Sequence, residues 1–326
     1  MGAGRSRTPD ESGARDIGRA LYSDLDSVSW IPSDDADVFR LSFTSGREPR
    51  ILKMARQGIP AVWREIGAFP AMRRLGIPEL LEFEYTSDDL PDLGTEFHVT
   101  RELANPAQAS RAMADLWTYQ QARALDVAYW LGDCARRIES LDWRQVPRAN
   151  SPERSVQIGE DWRLPQYSQL LARADCPAWA RTFINRVSAR LSRPEAFDAF
   201  GGWGGEMLRA PDGRFVLIDW PGLGAAPRGS LAASALEILL RFRAIDPAPL
   251  VERFLAGWVR TGLDDGRLED LRLWWTHNIL WWAGLGLQLR ADFDVDLSDV
   301  YAAAWHSLEN DNPVSWLSRH TAAAAP

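Results

Sequence analysis

The chain has 326 residues, and its apolar (46%) and charged (25%) fractions are those of an ordinary globular protein with length enough for two lobes. A formal charge of −8 argues against a nucleic-acid partner, whose phosphates call for a basic surface. Cys134 and Cys176 lie far apart in apolar, helical surroundings, fit neither a metal-ligand spacing nor a disulfide framework, and point to a reducing, cytoplasmic compartment.

The polar segment 1–16 reads as a disordered tail without the apolar run of a secretory signal. A short helix over Ile17 to Leu25 and a strand over Ser27 to Ile31 follow. Asp37 to Phe43 alternates with period two, breaks at Thr44-Ser45-Gly46, and is followed by a third strand, Arg50 to Ala55, which carries Lys53. Pro60 to Leu75 reads as a helix with Val62, Ile66, Phe69 and Leu75 as its apolar stripe and Glu65 one turn in. Leu80 to Tyr85 and Glu96 to Leu103 give two more strands; His98, with no second histidine nearby, reads as a satisfied strand residue.

From about Pro106 the pattern turns helical. Ala112 to Trp143 carries apolar residues at helical intervals, Arg144 to Asp161 reads as a surface insertion, and helices over Tyr167 to Ala174 and Ala178 to Leu191 lead to a glycine-rich loop. That loop, Gly201-Gly202-Trp203-Gly204-Gly205-Glu206, runs into Met207-Leu208, turns at Pro211-Asp212-Gly213 and returns through Arg214 to Ile218 to deliver Asp219. Helices over Ala232 to Arg243, with Ser230 as N-cap, Leu250 to Thr261 and Leu268 to Leu289 complete the core. The last contains Arg272, His277, Asn278 and Gln288, so it fits a buried helix better than a membrane span. Its tryptophans, Trp274, Trp275, Trp281 and Trp282, read as packing rather than a stacking platform. Tyr301 to Leu308 closes the fold, and 321–326 is a second tail.

The hairpin resembles the catalytic loop and metal-binding segment of the aminoglycoside phosphotransferase and choline kinase family, relatives of the protein kinases. That pattern runs His-Gly-Asp, four residues, Asn, two apolar residues, a turn, and Ile-Asp-Trp or Ile-Asp-Phe. Ile218-Asp219-Trp220 matches its second half. The resemblance implies a bilobal α+β protein-kinase-like fold, with a small antiparallel-sheet N-lobe over 17–105 and a helical C-lobe over 106–320 that carries the hairpin at 200–220.

It further implies a cofactor, ATP or another nucleoside triphosphate with Mg²⁺. Lys53 would contact the phosphates and pair with Glu65, the backbone near Arg101 to Leu103 would receive the adenine, and Asp219 would hold the metal. Glu206 falls where the family has its metal-binding Asn, and is a second metal ligand, a base, or a plain solvated turn residue. The catalytic Asp is replaced by Gly201 or Gly202, neither of which accepts a proton, and a general base typically contributes about 10²–10⁴-fold. The loop from Trp30 to Asp37 holds three carboxylates and no glycine where backbone N–H groups should approach phosphate.

Two functions stay open. One is a kinase acting on a hydroxyl of a small molecule or peptide, in antibiotic modification or natural-product and ribosomal-peptide tailoring. The other is a pseudokinase, a nucleotide- or peptide-binding scaffold that serves a partner biosynthetic protein without catalysis. Neither needs nucleic acid or a membrane.

Overall fold

The computed structural model describes residues 9–33, 36–56, 61–76, 80–103, 107–108, 115–146, 172, 181–182, 185–187, 196–198, 207–210, 212–218, 224–240, 247–259, 266–271, 273–275 and 277. Outside them lie Gly201, Gly202, Glu206, Asp219, Cys176, Trp281, Trp282, the segment Tyr301 to Leu308, the tail 321–326 and nearly all of the expected insertion.

The first helix, α1 (Glu11–Leu21), begins inside the segment expected to be a tail. Asp10 makes the difference: its Oδ1 accepts the Gly13 N–H at 2.9 Å, capping an otherwise unsatisfied amide. Ala14, Ile17 and Gly18 then form a buried stripe.

Five antiparallel strands follow as one sheet, β1 (Leu25–Ile31), β2 (Ala36–Phe43), β3 (Arg50–Ala55), β4 (Phe83–Thr86) and β5 (Phe97–Arg101), ordered β1-β2-β3-β5-β4. Helix α2 (Ala61–Arg74) connects β3 to β4. Strand periodicity sorts the two faces. Phe39, Leu41, Leu52, Met54, Phe97 and Val99 pack with Ala14 and Ile17 of α1. The opposite face packs Ala36, Val38 and Ala55 with Val62 and Ile66 of α2.

The second lobe is built on α3 (Gln121–Glu139), α4 (Ser230–Leu240) and α5 (Pro247–Trp258). The long helix expected from Ala112 is divided: residues 115–119 are helical, Gln120 leaves the helix, and α3 starts at Gln121. Helices α3 and α5 cross at two glycines. A Cβ on Gly132 would lie 2.1 Å from the Phe254 carbonyl oxygen, and one on Gly257 would lie 2.1 Å from that of Tyr129. Both obstacles are backbone, so only glycine permits this separation. Trp274 and Trp275 are buried in the same core, as their packing role requires.

Ser230 is the first residue of α4 rather than the residue before it, and its hydroxyl donates to the Pro227 carbonyl at 2.9 Å. The Ala232 N–H is accepted instead by Glu139 Oε1 from the end of α3, at 3.2 Å. Glu139 Oε2 accepts the Trp258 indole N–H at 3.0 Å, so one carboxylate ties three helices together.

The expected hairpin forms from β8 (Met207–Arg209) and β9 (Phe215–Leu217), joined by a turn with Gly213 at φ +82°. β6 (Ala107–Gln108) adds a third strand, and β7 (Ala196–Asp198) pairs with β10 (Gly224–Ala226) in a separate ladder. Arg123 of α3 donates to the Gly213 carbonyl at 2.7 Å, pinning the turn.

Candidate functional site

Lys53 lies mid-strand in β3 and its register partner on β5 is His98. Side chains opposite each other in an antiparallel pair leave the same face of the sheet, here the face covered by α2. The second turn of that helix brings Glu65 down between them. Lys53 Nζ donates to Glu65 Oε1 at 2.8 Å, and His98 Nε2 lies 2.7 Å from Glu65 Oε2. All three residues are buried, at 7%, 2% and 6% exposure. An ion pair at that depth is no surface accident, since desolvating two charges is costly unless each is held by good geometry.

His98 meets Glu65 as a neutral ring. Burial pushes its pKa below the ordinary imidazole value and the Lys53 ammonium adds to that, while the Glu65 carboxylate opposes it. With Nε2 against a carboxylate, the neutral tautomer carries its proton there and donates it. The ring also stacks on Phe83, centroids 4.2 Å apart, and Phe83 stacks on Phe69 of α2 at 4.4 Å. Glu65 and Phe69 are four residues apart and so share one face of α2.

The same helix reaches the other lobe. Ala68, Ala71 and Met72 of α2 belong to the core cluster that contains Phe215 and Leu217 of β9. Leu80 bridges to Leu217, and the Leu81 N–H donates to the Leu217 carbonyl at 3.3 Å. α2 therefore connects the Lys53 pair to the strand that runs toward Asp219.

Of the three carboxylates in the acidic loop, Asp34 and Asp35 lie outside the described residues, and Asp37 is neutralised. Asp37 is 5% exposed, and its Oδ1 accepts from Arg56 Nε at 2.7 Å. Arg56 also donates to the Ser33 carbonyl at 2.8 Å, so a single guanidinium neutralises Asp37 and braces the loop end.

Lys53, Glu65 and His98 are thus brought together. The side chain of Arg101 leaves that cluster, since it is exposed and pairs with Glu48; Leu103, just beyond β5, is half-buried. Three features escaped the sequence reading. Lys53 is the sole lysine among 37 Lys and Arg residues, a signal present in plain composition. His98 pairs with Glu65, which its register with Lys53 could have suggested. Arg64, beside Glu65, is 3% exposed, and burial lowers its pKa to about 10, which leaves it charged at neutral pH.

A crystal structure of the choline kinase LicA from Streptococcus pneumoniae superposes with a TM-score of 0.51 at 14% identity, covering 92% of this chain and 98% of that one. LicA in complex with AMP gives 0.54 at 12% identity, over 93% and 99%. An ethanolamine kinase from Plasmodium vivax gives 0.52 at 11% identity, over 94% and 88%. This is the bilobal protein-kinase-like fold. No family model matches the chain, and no curated protein matches it by sequence. At these identities it is the kinase-like fold alone that is shared.

Proposed function

We infer that this chain is a nucleotide-dependent phosphotransferase that moves a phosphoryl group to a hydroxyl of a small molecule or peptide. The observation that carries the reading is the buried Lys53–Glu65 pair, made by the chain's sole lysine on the sheet face under α2. Elsewhere every basic side chain that pairs with a carboxylate is arginine or histidine. A compact ammonium rather than a forked guanidinium suits a point contact to polyphosphate from a narrow, enclosed position.

The residues present fit ATP and Mg²⁺. Glu65 Oε1 accepts from the Lys53 ammonium at 2.8 Å, which holds the cation at the sheet face where a phosphate would meet it. Arg56 removes the charge of Asp37 from the loop edge. The backbone after β5, from Arg101 to Leu103, would receive the base. Asp219 and Glu206, which flank the hairpin in sequence, would supply oxygen ligands suited to a hard cation. Bound there, the nucleotide and metal supply the transferable phosphoryl group and charge neutralisation. The protein supplies position and electrostatics, which dominate this chemistry.

Gly201 and Gly202 stand where the resemblance puts the proton acceptor, which favours slow or rewired transfer and gives the pseudokinase reading its one specific support. Titration with ATP and Mg²⁺ tests the nucleotide site: the melting temperature should rise in the parent protein and stay fixed in Lys53→Met. No rise in the parent overturns the reading. If the rise occurs, ADP release with candidate hydroxyl acceptors separates the kinase from the scaffold.

A further inference from the structure

His98 takes part in two of the contacts that seat α2 on the sheet. One is ionic: Lys53 and His98, side by side across the β3–β5 ladder, approach the two oxygens of Glu65. The other is aromatic: Phe69 from α2 stacks on Phe83 of β4, and Phe83 stacks on His98. A carboxylate held at both oxygens is fixed about its terminal torsion, which is otherwise broad and nearly two-fold. Here the second oxygen is held by a ring that cannot swing, because it is 6% exposed and stacked on Phe83 at an interplanar angle of 12°. His98 Nδ1 has no hydrogen-bond partner among the described residues, so Glu65 is the polar contact on which the ring's orientation depends.

We propose that His98 is a positioning residue for Lys53: it donates from Nε2 to Glu65 Oε2, locks the carboxylate plane, and so fixes the ammonium that Oε1 holds. The proposal rests on the phosphotransferase reading for its functional meaning, but the geometry stands without it. His98 touches no reacting atom; it acts through Glu65.

The sole lysine makes the test specific. Trace acylation with acetic anhydride, followed by peptide mapping, reports Lys53 apart from the terminal amine. His98→Phe keeps a ring to stack on Phe83 and removes the donor; His98→Gln restores a donor and removes the ring. Loss of a hydrogen bond to a charged group should raise Lys53 acylation about tenfold in His98→Phe, with His98→Gln returning most of the way. ATP affinity, read by calorimetry with Mg²⁺, should weaken in the same order. Parent-like acylation in His98→Phe, or loss in Gln with none in Phe, overturns the proposal.

If the parent binds no ATP, the phosphotransferase reading falls while the acylation series still decides the role of His98. Should His98→Phe fail to fold, the wild-type ring decides: its ¹⁵N spectrum must show a neutral Nε2–H tautomer. An Nδ1–H tautomer refutes the assignment.

Discussion

His98 lies directly across the β3–β5 ladder from Lys53, and the two side chains approach opposite oxygens of one buried carboxylate, that of Glu65. A lysine, a glutamate and a histidine far apart in the chain thus share one water-poor contact between sheet and helix. Its consequences for stability and binding are measurable.

Removing Glu65 alone should cost more than removing it together with Lys53. Glu65→Ala leaves the Lys53 ammonium buried without its carboxylate and should destabilise the fold by about 3–5 kcal/mol in urea unfolding. Pairing it with Lys53→Met, which removes the ammonium that Glu65 neutralised, should recover part of that loss. A double variant no more stable than Glu65→Ala would refute the pairing energetics.

Stability should depend on His98 at mildly acidic pH. Its folded pKa lies below the unfolded value of about 6.5, so in the window between the two the unfolded chain binds the extra proton. The contribution is full above the unfolded pKa and is lost as pH falls toward the folded one. The slope reaches at most about 1.4 kcal/mol per pH unit. Urea midpoints from pH 7.5 to 5 should show this component in the parent and lack it in His98→Gln.

The crossing of α3 and α5 should tolerate no side chain. Gly132→Ala and Gly257→Ala each drive a Cβ into a carbonyl oxygen, and each should cost about 3 kcal/mol. The two meet at one crossing, so a double variant should cost less than the sum, because helices already forced apart admit the second methyl. Strict additivity would indicate that the helices do not separate as units.

Glu139→Ala should weaken the helical lobe by about 2–4 kcal/mol, since it uncaps the Ala232 amide and removes the acceptor of the buried Trp258 indole. Glu139→Gln, whose carbonyl oxygen can satisfy one of the two donors, should fall between Ala and the parent. Thermal melts in parallel with Ser230→Ala check this, as Ser230 should matter less.

If Asp219 holds the metal, Asp219→Ala should abolish the ATP·Mg²⁺ rise in melting temperature, which for the parent at ligand a hundred times Kd corresponds to about 2.7 kcal/mol. Glu206→Ala should shift the Mg²⁺ requirement alone. An unchanged rise in Asp219→Ala would remove it from the site.

Much of the sheet was legible because alternation reports directly on a half-buried strand. Asp37 to Phe43 and Arg50 to Ala55 read as strands and pair as β2 and β3. Lys53 and Glu65 were chosen by order along the chain, and they meet at 2.8 Å. The start of α1 was missed because its stripe of Ala14, Ile17 and Gly18 is short and partly glycine, and because the Asp10 cap is a local hydrogen bond without a periodic signature. Glu139 was missed as a cap because its partner amide is far along the chain, so no local window contains both. The charge of Asp37 was misjudged for a similar reason: its neutralising Arg56 sits across the β2–β3 hairpin.

By itself the sequence determined the alternation of strand and helix, the glycine turn of the hairpin and the presence of one lysine, since these follow from neighbouring residues and local backbone preference. Only the tertiary structure decided that His98 faces Glu65, that Arg56 pairs with Asp37, and that Gly132 and Gly257 occupy one helix crossing. Such contacts depend on register, helix rotation and interaxial distance, quantities set by packing the whole chain at once and encoded in no single stretch of it.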